Sequence, residues 1–212
     1  MTNGLVLVDR KFNICGHEII VNQPAREEDC LERAVGGTGV DPYWGKIWDA
    51  AIGSAHYILS KHWPPGSTAI ELGCGIGLAG IAALKAGLDV TFSDHDPNAV
   101  QLALENAALN GFPDTTGVVH AWSDDIGATY DFSLASDVLY ESNSHLPLLL
   151  VAEKVLEPEG KFFIGDPGRR AARNFLNLAT DRGWKVRLFD ESLNEVWVPS
   201  TNEFQWIELR MD

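Results

Sequence analysis

The stretch Ile70-Glu71-Leu72-Gly73-Cys74-Gly75-Ile76-Gly77-Leu78-Ala79-Gly80 decides the fold. The run Thr68-Ala-Ile leads into a carboxylate, Glu71, then into three glycines at alternate positions, and then into a small-residue run, Leu78 to Ala86. That order reads as a buried strand, a tight turn and a helix whose N-terminus faces a ligand. Glycines let backbone and ligand approach closely. The unpaired N–H groups of a first helical turn favour a negative group.

Outward from this stretch the chain alternates. Downstream, strands are expected at Thr68–Leu72, Asp89–Ser93, Gly117–Ala121, Phe132–Ser136, Lys161–Ile164, Lys185–Phe189 and Phe204–Leu209. Helices are expected at Gly77–Ala86, after Asp96-Pro97 to about Asn110, over Leu146–Leu156 and from Gly168 to about Asp181, with a turn at Glu157–Gly160. Asp96 suits a helix cap and Pro97 the first turn. Upstream, Ile52, Ala55, Ile58 and Leu59 recur at helical spacing until Pro64-Pro65-Gly66 stops them. Lys11–Ile14 and His17–Val21 flank Cys15-Gly16 as a hairpin. Alternating strands and helices predict an α/β, Rossmann-like, mostly parallel sheet of seven strands with helices on both faces and an N-terminal hairpin extension. The expected organisation is a hairpin and linker over residues 1–40 and one domain over 41–212. Gly36-Gly37-Thr38-Gly39 is a joint, read first as a plain loop and second as a mobile segment over a site.

At 212 residues and 45% hydrophobic, the chain is long enough for one well-filled core. Sixteen basic residues against thirty acidic ones give a net charge of −14. Such a surface repels nucleic acid and anionic membranes, so neither is an expected partner. The densest basic cluster, Arg169, Arg170 and Arg173, reads as the solvated start of a helix. Three cysteines without a CxxC pair argue against a disulfide framework or a zinc site and suit a reducing, cytoplasmic setting. No metal site is expected, and no apolar run reaches the length of a signal core or a membrane span.

The ligand is weighed on charge. Gly75-Ile-Gly77-Leu-Ala-Gly80 satisfies G-x-G-x-x-G, and Asp94 lies at the spacing of a ribose contact, so a dinucleotide is formally possible. Glu71 opposes it, because a carboxylate before the glycines repels a pyrophosphate and attracts an ammonium. Glycines that accept a carboxylate beside an acid that accepts an amine suit the two ends of an amino acid. S-adenosylmethionine carries both, with a ribose for Asp94 and an adenine. Trp122 can cover the adenine or simply fill core. Trp44 and Trp48 can pack beside the sulfonium or anchor the N-terminal arm. His95 can flank the ribose or remain a solvated neighbour. Asp137 is expected to orient an acceptor amine, with backbone capping as the alternative, and Tyr140 to hydrogen-bond it or wall its channel.

These residues resemble the class I S-adenosylmethionine-dependent methyltransferases. The similarity is greater to seven-strand protein-lysine methyltransferases related to the electron-transfer-flavoprotein β-subunit lysine methyltransferase. It is carried by Phe12-Asn-Ile-Cys-Gly-His17-Glu-Ile, Trp48-Asp-Ala-Ala51, Glu71 to Gly77, Asp137-Val-Leu-Tyr140 and Gly165-Asp-Pro-Gly-Arg169. The resemblance implies a last strand that runs antiparallel. It also implies that Glu71, Gly73, Gly75, Asp94 and Trp122 line the cofactor, with Trp48 near its methionine end, while Asp137 to Tyr140 border the acceptor; Cys74 and Gly77, within the glycine stretch, are expected at the cofactor too. The expected activity is methylation of a protein lysine. A small-molecule amine methyltransferase and a cofactor-binding module without catalysis are the alternatives, and a dehydrogenase stands well behind them.

Overall fold

The computed structural model describes residues 5–26, 28, 30 and 42–211. The Gly36–Gly39 joint lies outside the described residues. The chain opens with a two-stranded antiparallel hairpin, β1 (Leu7–Ile14) and β2 (His17–Pro24). Cys15 and Gly16 both have positive φ, 51° and 80°, the geometry that matches a two-residue turn to the twist of its strands. After a short 3-10 turn at Pro42–Gly45 comes helix α1 (Asp49–Ser60).

The remaining elements are β3 (Thr68–Leu72), α2 (Leu78–Lys85), β4 (Asp89–Asp94), α3 (Pro97–Leu109), β5 (Thr116–Val119), β6 (Tyr130–Ser136), α4 (His145–Val155) and β7 (Leu156–Asp166). They are followed by α5 (Arg170–Asp181), β8 (Lys185–Asp190), β9 (Glu195–Val196) and β10 (Gln205–Arg210). The sheet order is β5-β4-β3-β6-β7-β10-β8-β9. Pairing is parallel from β5 through to β7 and antiparallel from there to the edge. The sheet therefore has eight strands and not the expected seven. The extra one is β9, two residues on the edge beside β8, too short to leave a periodic signature.

Neighbouring residues of one strand feed opposite cores, which is why the strands read as continuous apolar runs. Ala69, Phe163 and Trp206 pack with α1, α2 and α3, while Ile70, Phe162 and Ile207 pack with α4 and α5. From β3 the chain moves to β4 and β5 on one side and then returns to β6 on the other. That reversal opens a crevice at the carboxyl end of β3, where such sheets bind ligands.

The hairpin is tied to the end of α3 by two asparagines one turn apart, Asn106 in the last turn and Asn110 at the C-cap. Asn110 exchanges hydrogen bonds with the N–H and C=O of Ile20, and Asn106 does the same with Asn22. Four residues of helix rise about 6 Å and two of strand about 6.7 Å, so two side-chain amides stand in for a neighbouring strand. Asn106 also donates to Ile76 O at 2.9 Å, joining the hairpin to the glycine loop. Asn106 is fully buried. Asn106→Ala leaves three backbone groups unpaired and is expected to cost about 2–4 kcal/mol in urea unfolding. Hydrogen exchange in the same variant should speed up first at the β2 amides. An unchanged midpoint would refute this anchoring role.

Candidate functional site

The crevice holds a cavity of about 380 Å³. All twelve residues expected at the site line it: Trp44, Trp48, Glu71, Gly73, Cys74, Gly75, Gly77, Asp94, His95, Trp122, Asp137 and Tyr140. Four elements deliver them. The β3–α2 loop forms the floor, the ends of β4 and β5 form one wall, the end of β6 forms the other, and the Tyr43–Trp48 segment closes over the top.

The loop is held open by its own hydrogen bonds. Gly73 and Cys74 both donate to Ser93 O, at 2.8 and 2.9 Å, and Gly75 donates to Asp94 Oδ2 at 3.0 Å. Gly77 has φ 88° and caps α2, a left-handed position that a side chain would strain. A Cβ on Gly75 would lie 3.1 Å from Trp44 O, so the roof rests directly on the loop backbone. The N–H groups of Leu78 and Ala79, in the first turn of α2, have no carbonyl behind them in the helix and border the cavity. They form a seat for a carboxylate.

Glu71 lies beneath that seat. It is buried, and its Oε2 accepts the Gly80 N–H at 2.9 Å. Burial pushes its carboxyl up to about 8; the Gly80 hydrogen bond works against this and the nearby Asp94 charge adds to it. A buried acid in the lining of a cavity is poised to take a cation.

Asp94 has two duties. Its oxygens accept Gly75 N and Asp96 N, both at 3.0 Å, and His95 Nδ1 stands 3.1 Å away. Helix capping falls instead to Asp96, whose Oδ1 accepts Asn98 N at 2.7 Å. An ionised carboxylate has about four lone-pair sites, so Asp94 keeps acceptor capacity for hydroxyls. Half-exposed His95 stays beside it. Trp122 is partly buried, and its ring edge comes within 3.6 Å of where a Gly73 Cβ would stand. Trp48 donates to Tyr43 O and carries Lys46 Nζ 4.9 Å from its ring centroid. Cys74 is buried, and burial raises its thiol far above the ordinary range, so it acts as wall and not as nucleophile.

Asp137 follows β6 with φ 65°, a left-handed conformation in a residue other than glycine. Its N–H bonds Gly165 O, its Oδ2 accepts Ala50 N in the first turn of α1 at 3.3 Å, and its Oδ1 is ion-paired with Arg169. Burial pushes its carboxyl up, and Arg169 opposes this. Tyr140 sits at the mouth, about half exposed. The reading of Arg169 as a solvated helix start is overturned: only Arg170 and Arg173 are exposed, while Arg169 turns inward between Asp137 and Asp166. His120, buried beside Asp94 with its backbone N–H on Asp94 O, is a lining residue that sequence reasoning missed. The signal for Arg169 lay in the G-D-P-G-R stretch itself; for His120 there was none.

The residues present fit S-adenosylmethionine. A helix N-terminus on the cavity, a buried acid in its lining and a carboxylate with spare lone pairs match a carboxylate, an amine and a ribose diol. Among the described residues, no group of three or more His, Cys, Asp or Glu is placed to hold a metal ion, and no helix is long and apolar enough to cross a membrane.

Residues 36–182 match a family model described as lysine methyltransferase. The chain is 29% identical over 194 residues to EEF1A lysine methyltransferase 3 of Mus musculus, covering 87% of this chain and 78% of that protein. It is 30% identical over 132 residues to the electron transfer flavoprotein beta subunit lysine methyltransferase of Danio rerio, covering 61% of this chain and about half (51%) of that one. A TehB-like SAM-dependent methyltransferase from Corynebacterium glutamicum shares the fold, with a TM-score of 0.64, 24% identity and coverage of 88% of this chain and 98% of that chain.

Proposed function

Because this chain belongs to the lysine methyltransferase family, we propose that it transfers a methyl group from S-adenosylmethionine to the side-chain amine of a lysine in a protein. The observation that carries the reading is the pairing of Glu71 with the N-terminus of α2 in one cavity, with Asp137 on its wall at the end of β6. S-adenosylmethionine supplies a methyl group on a sulfonium, ready for in-line displacement.

The chain's own residues bind and orient. Leu78 and Ala79 N–H groups take the carboxylate, Glu71 the amine and Asp94 the ribose hydroxyls. Trp122 covers the adenine side, and Trp44 and Trp48 close the methionine end against water. Asp137 receives the acceptor as an ammonium and aligns it. Tyr140 walls the entrance. A free lysine has a pKa near 10.4, so the ammonium must release a proton to water before its lone pair takes the methyl and the neutral thioether leaves. The apolar, aromatic roof lowers that value by desolvation. Alignment in a closed cavity then supplies most of the acceleration.

Asp137→Ala is expected to lower turnover at least about a hundredfold. Calorimetry should find its affinity for S-adenosylhomocysteine within about threefold of wild type. Normal turnover in this variant would remove Asp137 from the acceptor site. The function itself is tested by incubating the protein and cell extract with radiolabelled S-adenosylmethionine. Label in a protein band, at lysine on hydrolysis, is the expected result. Label confined to small molecules would point to a small amine acceptor, and no label at all to a binding module without catalysis.

A further inference from the structure

Arg169 stands between two carboxylates that arrive on different strands. Its guanidinium pairs with Asp137 Oδ1 after β6 and, at 3.5 Å, with Asp166 Oδ2 at the end of β7. Asp166 is fully buried and immobilised: its Oδ1 accepts Gly168 N and Arg169 N at 2.8 Å each and Gln205 Nε2 at 3.1 Å. A fixed anion therefore grips the guanidinium from behind, and Asp137 rests on its other side. The other Asp137 oxygen reaches the Ala50 N–H of α1. The chain of contacts runs from Gln205 of β10 through Asp166 and Arg169 to Asp137 and the start of α1. It ends on the cavity wall, which Asp137 lines and Asp166 does not. The cluster holds two carboxylates and one guanidinium, one positive charge short of balance.

We infer that Arg169 is the positioning residue of the acceptor site: it fixes the Asp137 carboxylate at the cavity wall and keeps it an ionised partner for a cationic acceptor. The inference rests on the reading of Asp137 as the group that receives the acceptor. Among the described residues, the charged groups that act on Asp137 are Arg169 and Asp166. Arg169 comes from the turn before α5. Asp166 comes from β7, with His145 of α4 near it, an imidazole that burial holds below its ordinary range. Glu71 lies across the cavity. Burial and Asp166 push Asp137 toward protonation, and Arg169 is the main influence against them, ahead of the Ala50 N–H. Without Arg169, two buried carboxylates would face each other with no cation between them, and one of them would take up a proton. A neutral Asp137 still accepts a hydrogen bond, but it no longer holds an ammonium by charge.

The test compares wild type with Arg169→Met and Arg169→Lys. Carbon NMR of the Asp137 carboxyl, in protein without ligand, reads its titration directly. The midpoint should rise to about pH 8 in Arg169→Met, where roughly nine-tenths of the carboxyl is neutral at pH 7. The rise should be smaller in Arg169→Lys, whose single ammonium replaces only part of the fork. With extract protein as acceptor, KM in Arg169→Met should rise about tenfold at pH 7 and recover toward pH 9. Affinity for S-adenosylhomocysteine should stay within threefold throughout. An Asp137 midpoint that does not move in either variant would overturn the inference, as would a loss of turnover equal at every pH. The NMR result does not depend on methyl transfer, so failure of the functional reading shows separately, as wild-type protein that labels nothing.

Discussion

Glu71→Gln is expected to weaken S-adenosylhomocysteine binding about a hundredfold at pH 8 while leaving the free protein as stable as wild type or more so. The two effects part because one residue has two states. Glutamine keeps the shape and the carbonyl that accepts the Gly80 N–H, so the contact between β3 and α2 survives. It loses the charge that an amine requires. A hydrogen bond to a charged group contributes about 1.5–3 kcal/mol, which corresponds to roughly ten- to a hundredfold in affinity. In the free protein the charge is a burden. Burial raises the Glu71 carboxyl from an ordinary 4.5 to about 8, so between those values the native state binds a proton that the unfolded chain has released. Stability then falls as pH rises through that window and levels above it, by an amount on the order of a few kcal/mol. The Gln variant lacks this slope. Melting curves from pH 5 to 9 should therefore converge at low pH and separate at high pH, with the variant above. Calorimetry should show wild-type affinity climbing toward pH 8 and the variant flat. Tight binding by the variant at pH 8 would mean that Glu71 does not hold the amine.

Much of this site was legible in the sequence because its chemistry is local. Glu71, the glycines and the first turn of α2 lie within a dozen residues, and a carboxylate before a glycine loop carries its own charge argument. Asp94 and Asp96 were separable because a cap has a fixed relation to its helix. The strands followed from apolar runs long enough to be buried on both faces. Apart from β9, too short to leave a pattern, the misses are non-local. The run Leu156–Asp166 was expected to begin with a turn at Glu157–Gly160, and the structure carries it as one strand with an irregularity. Tyr130 pairs with Leu156 and Phe132 with Lys161, so the extra residues bulge from the ladder, which turn-forming residues alone do not reveal. Arg169 was grouped with Arg170 and Arg173 because the three are close in sequence. What turns it inward is the pairing of Ser136 with Gly165, which sets Asp137 and Asp166 side by side, and no local pattern encodes that register. Asn106 and Asn110 were hidden for the same reason, since their partners lie 84 and 90 residues away.

The G-x-G-x-x-G match has a packing origin, and Gly80→Ala measures it. A Cβ on Gly80 would stand 2.3 Å from Phe92 Cε1 and 2.4 Å from Glu71 Oε2. Phe92 is fully buried on the α1–α3 side of β4, so its ring has nowhere to retreat. The third glycine of the pattern thus lets α2 lie flat on β3 and β4, a need shared by any helix that follows a strand this closely, whatever it binds. The substitution is expected to cost about 2–4 kcal/mol, with a drop in Tm of roughly 5–15 °C. It also displaces the Glu71 carboxylate from its Gly80 anchor, so S-adenosylhomocysteine binding should fail even below the melting transition. Phe92→Leu in the same chain makes room for the methyl but does nothing for Glu71. The double variant should therefore regain part of the lost stability, with a coupling of about 1 kcal/mol, and none of the lost affinity. Affinity restored along with stability would show that the glycine serves the fold alone, and would return the amine to some other partner than Glu71.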